Sequence, residues 1–257
     1  MKNCVMSLAA IAALSVFADP NTMPVEEVAA RIPHETAEET AARFAWWQHD
    51  RFGMFIHFGL YAMPARHEWV RNYEEIPNED YEKYFERFDP DLFDATAWAK
   101  AAKEAGMKYV VLTTKHHEGF CMWDTATTDY KITKTPFGRD LVKEYVEALR
   151  AEGLKVGFYF SIMDWHHPDY MVDGPHPEFG RIKDRHLPDA EMEAEVAKLN
   201  KGRDMNRYRE YMFAQVRELL TNYGKIDIIW YDYTPSPDEK GRYGKTWKDW
   251  NAVELLK

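Results

Sequence analysis

Histidines, carboxylates and tryptophans recur at the ends of apolar runs in this chain. His57 closes the first such run, with Glu68-Trp69 eleven residues further on. Lys115-His116-His117-Glu118 follows a second run, Asp164-Trp165-His166-His167 a third, and Asp232 a fourth, within Trp230-Tyr231-Asp232-Tyr233. Three chemistries use such residues. Imidazoles and carboxylates can hold a metal. Here, however, there is no His-x-His or HExxH spacing and adjacent histidines on a strand point apart, so neither a metal nor another cofactor is expected. Neutral imidazoles can instead donate to and accept from sugar hydroxyls, while aromatic rings cover sugar C–H faces. A carboxylate on a rigid strand end can also attack an anomeric carbon, provided that a protonated carboxyl lies about 5 to 5.5 Å away. Asp232 is the first acidic residue after Ile228-Ile229-Trp230-Tyr231 and is the candidate for the attacking group; an N-cap or loop ion pair is the alternative.

The elements that must position these residues are written in the hydrophobic pattern. In three segments, 103–117, 150–167 and 221–235, a helix ends at glycine, an apolar run follows and polar residues finish it. Glycine supplies the left-handed helix cap, and near-continuous apolar runs suit strands covered on both faces. FGMFIHFG at 52–59 supplies a further, first strand. Thr36 and Glu39 make a capping box for a helix through Trp46 and Trp47 that ends near Gly53. Asp94 caps a helix over 95–105, and further helices span 139–151 and 204–222. Leu141, Tyr145, Ala148 and Leu149 of one, and Met212, Val216, Leu219 and Leu220 of another, are expected to face the sheet.

Alternating helix and strand predicts an α/β fold with parallel strands. A (β/α)8 barrel fits better than an open doubly wound sheet, because no glycine-rich phosphate loop follows any strand. Barrels gather their chemistry at the strand C-termini, where this chain puts its titratable groups. The stretch 166–201, rich in His, Pro and charge, reads as an excursion over one end of the barrel with its own helix near 191–199.

Of the 257 residues 33 are basic and 43 acidic, a net charge of −10 that argues against nucleic acid or an anionic membrane as partner. Hydrophobic residues at 46% and aromatics at 15% are enough for one large core, in which most of the aromatics belong. Residues 1–18 read as a signal peptide: Lys2, an apolar stretch from Val5 to Val16, and Val16-Phe17-Ala18 before Asp19. That implies a secreted or periplasmic protein with no membrane insertion after cleavage; a signal anchor is the alternative. Residues 19–34 form a Pro-containing leader. Cys4 leaves with the signal, and Cys121 then stands alone in Gly119-Phe120-Cys121-Met122-Trp123, where packing is the expected role.

Taken together, FGMFIHFGLYAMPARHEW at 52–69, KYVVLTTKHHEGFCMWDT at 108–125, LKVGFYFSIMDWHHPDY at 154–170 and KIDIIWYDYTP at 225–235 resemble the α-L-fucosidases of glycoside hydrolase family 29. The resemblance covers about 45–257 and implies a (β/α) barrel, a retaining mechanism and a fucosylated oligosaccharide or glycoconjugate as substrate. By motif, Asp232 is similar in position to the nucleophile. His57, Glu68, Trp69, His116, His117, Tyr159 and Trp230 look like the fucose pocket. Tyr233 stands where many relatives have glycine, which bears on the leaving-group side. Four clear strands precede Lys257 whereas eight close a barrel, so 35–257 is expected to form half to two-thirds of one. The family's general acid/base is then expected beyond Lys257, with Glu68 as a substitute acid. An inactive fragment or fucose-binding remnant is the alternative function, and a metal-dependent hydrolase using the rim histidines a third.

Overall fold

The computed structural model describes residues 35–183, 185–233 and 244–256. The stretches expected to be a signal peptide and a leader, 1–18 and 19–34, lie outside the described residues. At residue 36 the capping box is formed: the Thr36 side chain accepts from Glu39 N at 3.1 Å and the Glu39 carboxylate accepts from Thr36 N at 2.8 Å. Helix α1, Ala37–His49, follows and ends at Asp50. It lies against the N-terminal end of the sheet, with the Trp47 ring 4.9 Å from that of Tyr109 and Lys155 Nζ 2.5 Å from Asp50.

Four parallel strands make one sheet among the described residues: β1 Gly53–Ile56, β2 Tyr109–Lys115, β3 Lys155–Ser161 and β4 Ile228–Asp232. They are hydrogen-bonded in sequence order, with Gly53 opposite Tyr109, Tyr109 opposite Lys155 and Gly157 opposite Ile228. A doubly wound sheet reverses its strand order at a switch point; this one does not, so the strands form an arc of a (β/α) barrel. β1 is shorter than its apolar run because Thr113 interrupts the ladder. Its hydroxyl accepts from Phe58 N and donates to Phe58 O, both at 2.9 Å, so the backbone of Phe58 is satisfied by a side chain.

The connecting helices begin and end as their capping residues dictate. Helix α2, Ala95–Glu104, is capped by Asp94, which accepts from Ala97 N at 2.9 Å. Helix α3, Leu141–Ala151, is capped by Asp140 through Lys143 N at 2.9 Å. Helix α4, Met205–Thr221, is capped by Asp204 through Asn206 N at 2.8 Å. Gly106 and Gly153 follow two of them at φ 84° and 69°, the left-handed turn that a side chain would oppose. Leu141, Tyr145 and Leu149 are buried against the sheet, each contributing roughly 1.5–3 kcal/mol of burial. Ala148 is only half-buried, and Val142 and Val146 complete the stripe. Leu220 corrects the expected face of α4: it is exposed, and Tyr208 and Gln215 join Met212, Val216 and Leu219 inside. At about 100° per residue the five buried positions keep to one arc of the helix, and Leu220 falls roughly 40° beyond Val216 at its edge.

Alternation divides the sheet into two faces. Val110, Leu112, Val156, Phe158 and Phe160 point toward the helices and are buried. The other face carries Phe55, Val111, Thr113, Gly157, Tyr159, Ser161, Ile228, Trp230 and Asp232. A methyl group on Gly157 would lie 2.7 Å from Val111 Cγ2, so the strands close up there only because that position lacks one. β2 and β3 are covered on both faces as expected; β1 and β4 are not, and Phe55 and Trp230 remain 43% and 48% exposed. The excursion after β3 folds into two further helices, Pro177–Lys183 and Asp189–Leu199, around a small core of Val172, Phe179, Ile182 and Val196. Lys245 Nζ, bonded to Asp173 at 2.7 Å, ties the segment 244–256 to its base.

Candidate active site

Asp232 ends β4, and the register places it opposite Ser161, with Tyr159 one pleat repeat back on the same face. Tyr159 OH donates to Asp232 Oδ2 at 2.5 Å, and the backbone N–H of Tyr233 donates to Asp232 Oδ1 at 2.9 Å. Burial, followed by the adjacent Asp232 charge, pushes the Tyr159 phenol well above its ordinary value, which keeps it a proton donor. Each carboxylate oxygen therefore has one fixed donor, while the side chain stays 38% exposed.

His117 Nε2 stands 3.7 Å from Asp232 Oδ2. Its other ring nitrogen lies 2.6 Å from Ser161 Oγ. Ser161 has one proton, and that proton goes to the carbonyl of Met163 at 2.9 Å, so Ser161 must accept from His117 Nδ1–H. Nε2 is then an unprotonated acceptor on the side of the ring turned to Asp232. Burial, then the repulsion of His116, His57 and Lys115, holds the His117 imidazole well below its ordinary pKa and neutral. An acceptor and a carboxylate 3.7 Å apart leave a seat for a hydroxyl that donates to either.

His116 is oriented by a different partner, Glu118, whose carboxylate lies 3.1 Å from Nδ1; both side chains are 2% exposed. The rings of His116 and His117 are 4.1 Å apart, contrary to the expectation that adjacent histidines diverge. The expectation assumed a continuing strand, but β2 ends at Lys115 after a register shift between Thr113 and Lys115, and the pleat no longer separates them. His57 completes the row, 4.9 Å from His116 and 5.9 Å from Tyr159 between ring centroids. Burial and then His116 lower its pKa, partly offset by the charges of Glu68, Glu118 and Asp232. Trp69 walls the cup, its ring 4.9 Å from that of His117 at 76°.

Of the residues expected here, His57, Trp69, His116, His117, Tyr159 and Asp232 converge on this cup. Glu68 sits at its mouth, on an open cleft of about 430 Å³ shared with His57 and Tyr61. Trp230 lies lower on the same face, 5.6 Å from Phe55 at 87°, two residues before Asp232. His166 and His167 lie elsewhere: His166 pairs with Glu82 at 2.8 Å and stacks on Tyr130 at 3.8 Å, and His167 packs on Tyr211. Among the described residues no group of three or more His, Cys, Asp or Glu is arranged to hold a metal ion. Cys121 is fully buried and its thiol is pushed up to about 12 by burial, the packing role expected of it.

Sequence reasoning missed the residues that orient the imidazoles. Ser161 carries a signal, since it shares a face with Tyr159 and ends its strand; Glu118 carries none beyond its nearness to His116. Beneath the cup lies a fully buried ion pair, Lys115 Nζ to Asp164 Oδ2 at 3.4 Å, with Gln215 accepting from the same ammonium at 2.9 Å. Burial raises the Asp164 pKa but Lys115, His167 and His166 outweigh it, leaving the carboxyl below its usual range. Asp164 Oδ1 also accepts from His166 N at 3.0 Å and His167 N at 2.9 Å. A methyl group on Gly119, at φ 84°, would fall 2.2 Å from that oxygen, so the turn bearing His116 and His117 rests directly on this pair.

Residues 24–256 match the family described as alpha-L-fucosidase. The chain is 30% identical over 234 residues to the alpha-L-fucosidase of Dictyostelium discoideum, which covers 82% of this chain and 44% of that protein. It is 36% identical over 146 residues to the tissue alpha-L-fucosidase of Bos taurus, 50% of this chain and 31% of that one. Among solved structures it is similar to alpha-L-fucosidase isoenzyme 1 from Paenibacillus thiaminolyticus, with a TM-score of 0.69, 56% identity, and 83% of this chain and 46% of that one covered. It is also similar to a Bacteroides thetaiotaomicron alpha-L-fucosidase trapped as a covalent intermediate with 2-fluoro-fucosyl fluoride. That likeness has a TM-score of 0.65 and 32% identity, over 88% of this chain and 47% of that one. The chain thus spans half or less of the length of these relatives. With the match running through nearly every described element, strands and cup included, the chain belongs to the alpha-L-fucosidase family.

Proposed function

We propose that this chain carries the nucleophile side of a retaining, exo-acting α-L-fucosidase that releases terminal L-fucose from fucosylated oligosaccharides or glycoconjugates. The observation that carries the reading is the carboxylate of Asp232, held by Tyr159 OH and Tyr233 N–H, still 38% exposed, with the bare Nε2 of His117 3.7 Å from it. A carboxylate fixed through both oxygens needs little reorganisation to attack. One Asp232 oxygen forms a bond to the anomeric carbon as the bond to the leaving oxygen breaks, and a carboxylic acid protonates that oxygen. Water then cleaves the glycosyl ester, giving its proton to the same acid and restoring Asp232. Glu68, at the mouth of the cleft, is assigned as a substitute acid. His57, His116 and His117 receive sugar hydroxyls, with Trp69 and, lower on the same face, Trp230 as apolar wall. The covalent intermediate trapped in the Bacteroides thetaiotaomicron relative supports retention. Residues 1–18 support export to the periplasm or outside the cell.

Turnover of 4-nitrophenyl α-L-fucoside tests the assignment. Asp232→Asn should lower kcat by roughly three orders of magnitude or more. Azide added to Asp232→Ala should restore turnover and yield the β-fucosyl azide, the product of a single inversion. Unimpaired hydrolysis in both variants would remove Asp232 from the mechanism.

A further inference from the structure

Tyr233 follows Asp232 with φ of 72°. For a bulky residue the left-handed region is a strained conformation, and such strain persists where the surroundings enforce it. The Tyr233 N–H donates to Asp232 Oδ1, and beyond that nitrogen the left-handed turn swings the phenol ring away from the line of β4 to within 5.9 Å of His117 and 6.1 Å of Trp69. Trp69 in turn lies 6.1 Å from Tyr73 with the planes only 32° apart. Tyr73 is 66% exposed, its other flank packed on the His67 ring at 4.7 Å. Three rings thus run outward from the carboxylate: Tyr233, then Trp69, then Tyr73. On the fucosidase reading the cup lined by His57, His116, His117 and Tyr159 takes the terminal sugar against Trp69, which leaves Tyr73 and the outward side of Trp69 beyond that sugar.

We propose that Tyr233, Trp69 and Tyr73 form a shelf for the sugar to which fucose is attached, and that Tyr233 sets the preference for a glycan over a small leaving group. The proposal rests on the fucosidase reading and deepens it. Its chemistry is that of a saccharide subsite: the C–H face of a pyranose covers flat rings, while ring hydroxyls reach polar groups at the edge. His67 and Glu68, 3.4 Å apart and each 42% exposed, supply that polar edge next to Trp69. Continuity with the cup points to a glycan rather than a protein, because Trp69 touches His117 on one side and Tyr73 on the other.

The test compares two leaving groups: fluoride, a single atom that cannot reach the shelf, and the better substrate of α-L-fucosyl-galactose and α-L-fucosyl-N-acetylglucosamine. Tyr73→Ala should lower kcat/KM for the disaccharide roughly 3- to 10-fold, the worth of one stacked ring, and leave α-L-fucosyl fluoride unchanged. Tyr233→Gly, which removes both ring and strain, should shift the disaccharide-to-fluoride ratio at least as far while the melting temperature holds or rises. A Tyr73→Ala enzyme with both substrates unchanged, or both reduced alike, overturns the shelf. If the wild-type chain turns over neither substrate, the catalytic reading fails on its own, and calorimetry decides the shelf. Tighter binding of the disaccharide than of L-fucose, lost in Tyr73→Ala, upholds it; equal binding of the two sugars overturns it.

Discussion

Two hydroxyls decide how well the carboxylate and imidazole of the cup are aimed. Tyr159 OH is a charge-assisted donor to Asp232, and such bonds contribute about 1.5–3 kcal/mol. Tyr159→Phe should therefore lower kcat roughly 10- to 100-fold with the fold intact, as steady-state kinetics beside a thermal melt would show. Ser161 acts one step further away by fixing the His117 proton on Nδ1. Ser161→Ala frees the ring to carry its proton on Nε2, and the predicted result is a rise in KM for fucosides with the melting temperature little changed. Asp232 and the three histidines could be picked out from residue type and position at strand ends. Their orienting partners could not, since Glu118 and Ser161 look like any polar residue until hydrogen-bond distances are known. The nearness of His116 and His117 was hidden for a related reason: whether a pleat continues past Lys115 depends on a register shift set by the neighbouring strand.

At the level of strands and helices, local chemistry was enough to place most boundaries. Asp94, Asp140 and Asp204 cap where their side chains can reach a backbone N–H, and glycines end the helices, so those limits follow from a few adjacent residues. β1 is the counterexample: its end depends on the hydroxyl of Thr113, 55 residues away from Phe58, which no local pattern contains. The Lys115–Asp164 pair is likewise non-local and joins the turn after β2 to the loop after β3. Lys115→Met would strand a buried carboxylate, at a cost of about 3–5 kcal/mol by urea denaturation. Asp164→Asn keeps an acceptor for the two backbone N–H groups but removes the charge. Adding it to Lys115→Met should recover part of that loss, whereas strict additivity of the two changes would mean that the ion pair is not coupled.

For the whole molecule, buried histidines predict how stability responds to acid. His117 and His176 are held well below the ordinary imidazole value, and His57 and His167 are also lowered, with burial the largest cause for all four. The unfolded chain takes up protons on these rings near pH 6.5 while the folded chain does not, so the unfolded state binds more protons and stability falls as pH drops below about 6.5. Melting temperatures should therefore decline between pH 6.5 and 5, and His117→Gln should make the decline shallower. A slope identical to that of the unaltered chain would show that this ring does not couple to folding.

Each strand of the sheet lies beside the one made just before it, with no later strand inserted between earlier ones. Synthesis delivers N-terminal segments first. The imidazoles of β1 and the β2 turn thus leave the ribosome with their neighbours already available, and the acidic group at the tip of β4 docks onto a surface that has been waiting for it. A ribosome stalled before residue 228 would hold a nascent chain with His57, His116 and His117 but without its Asp232.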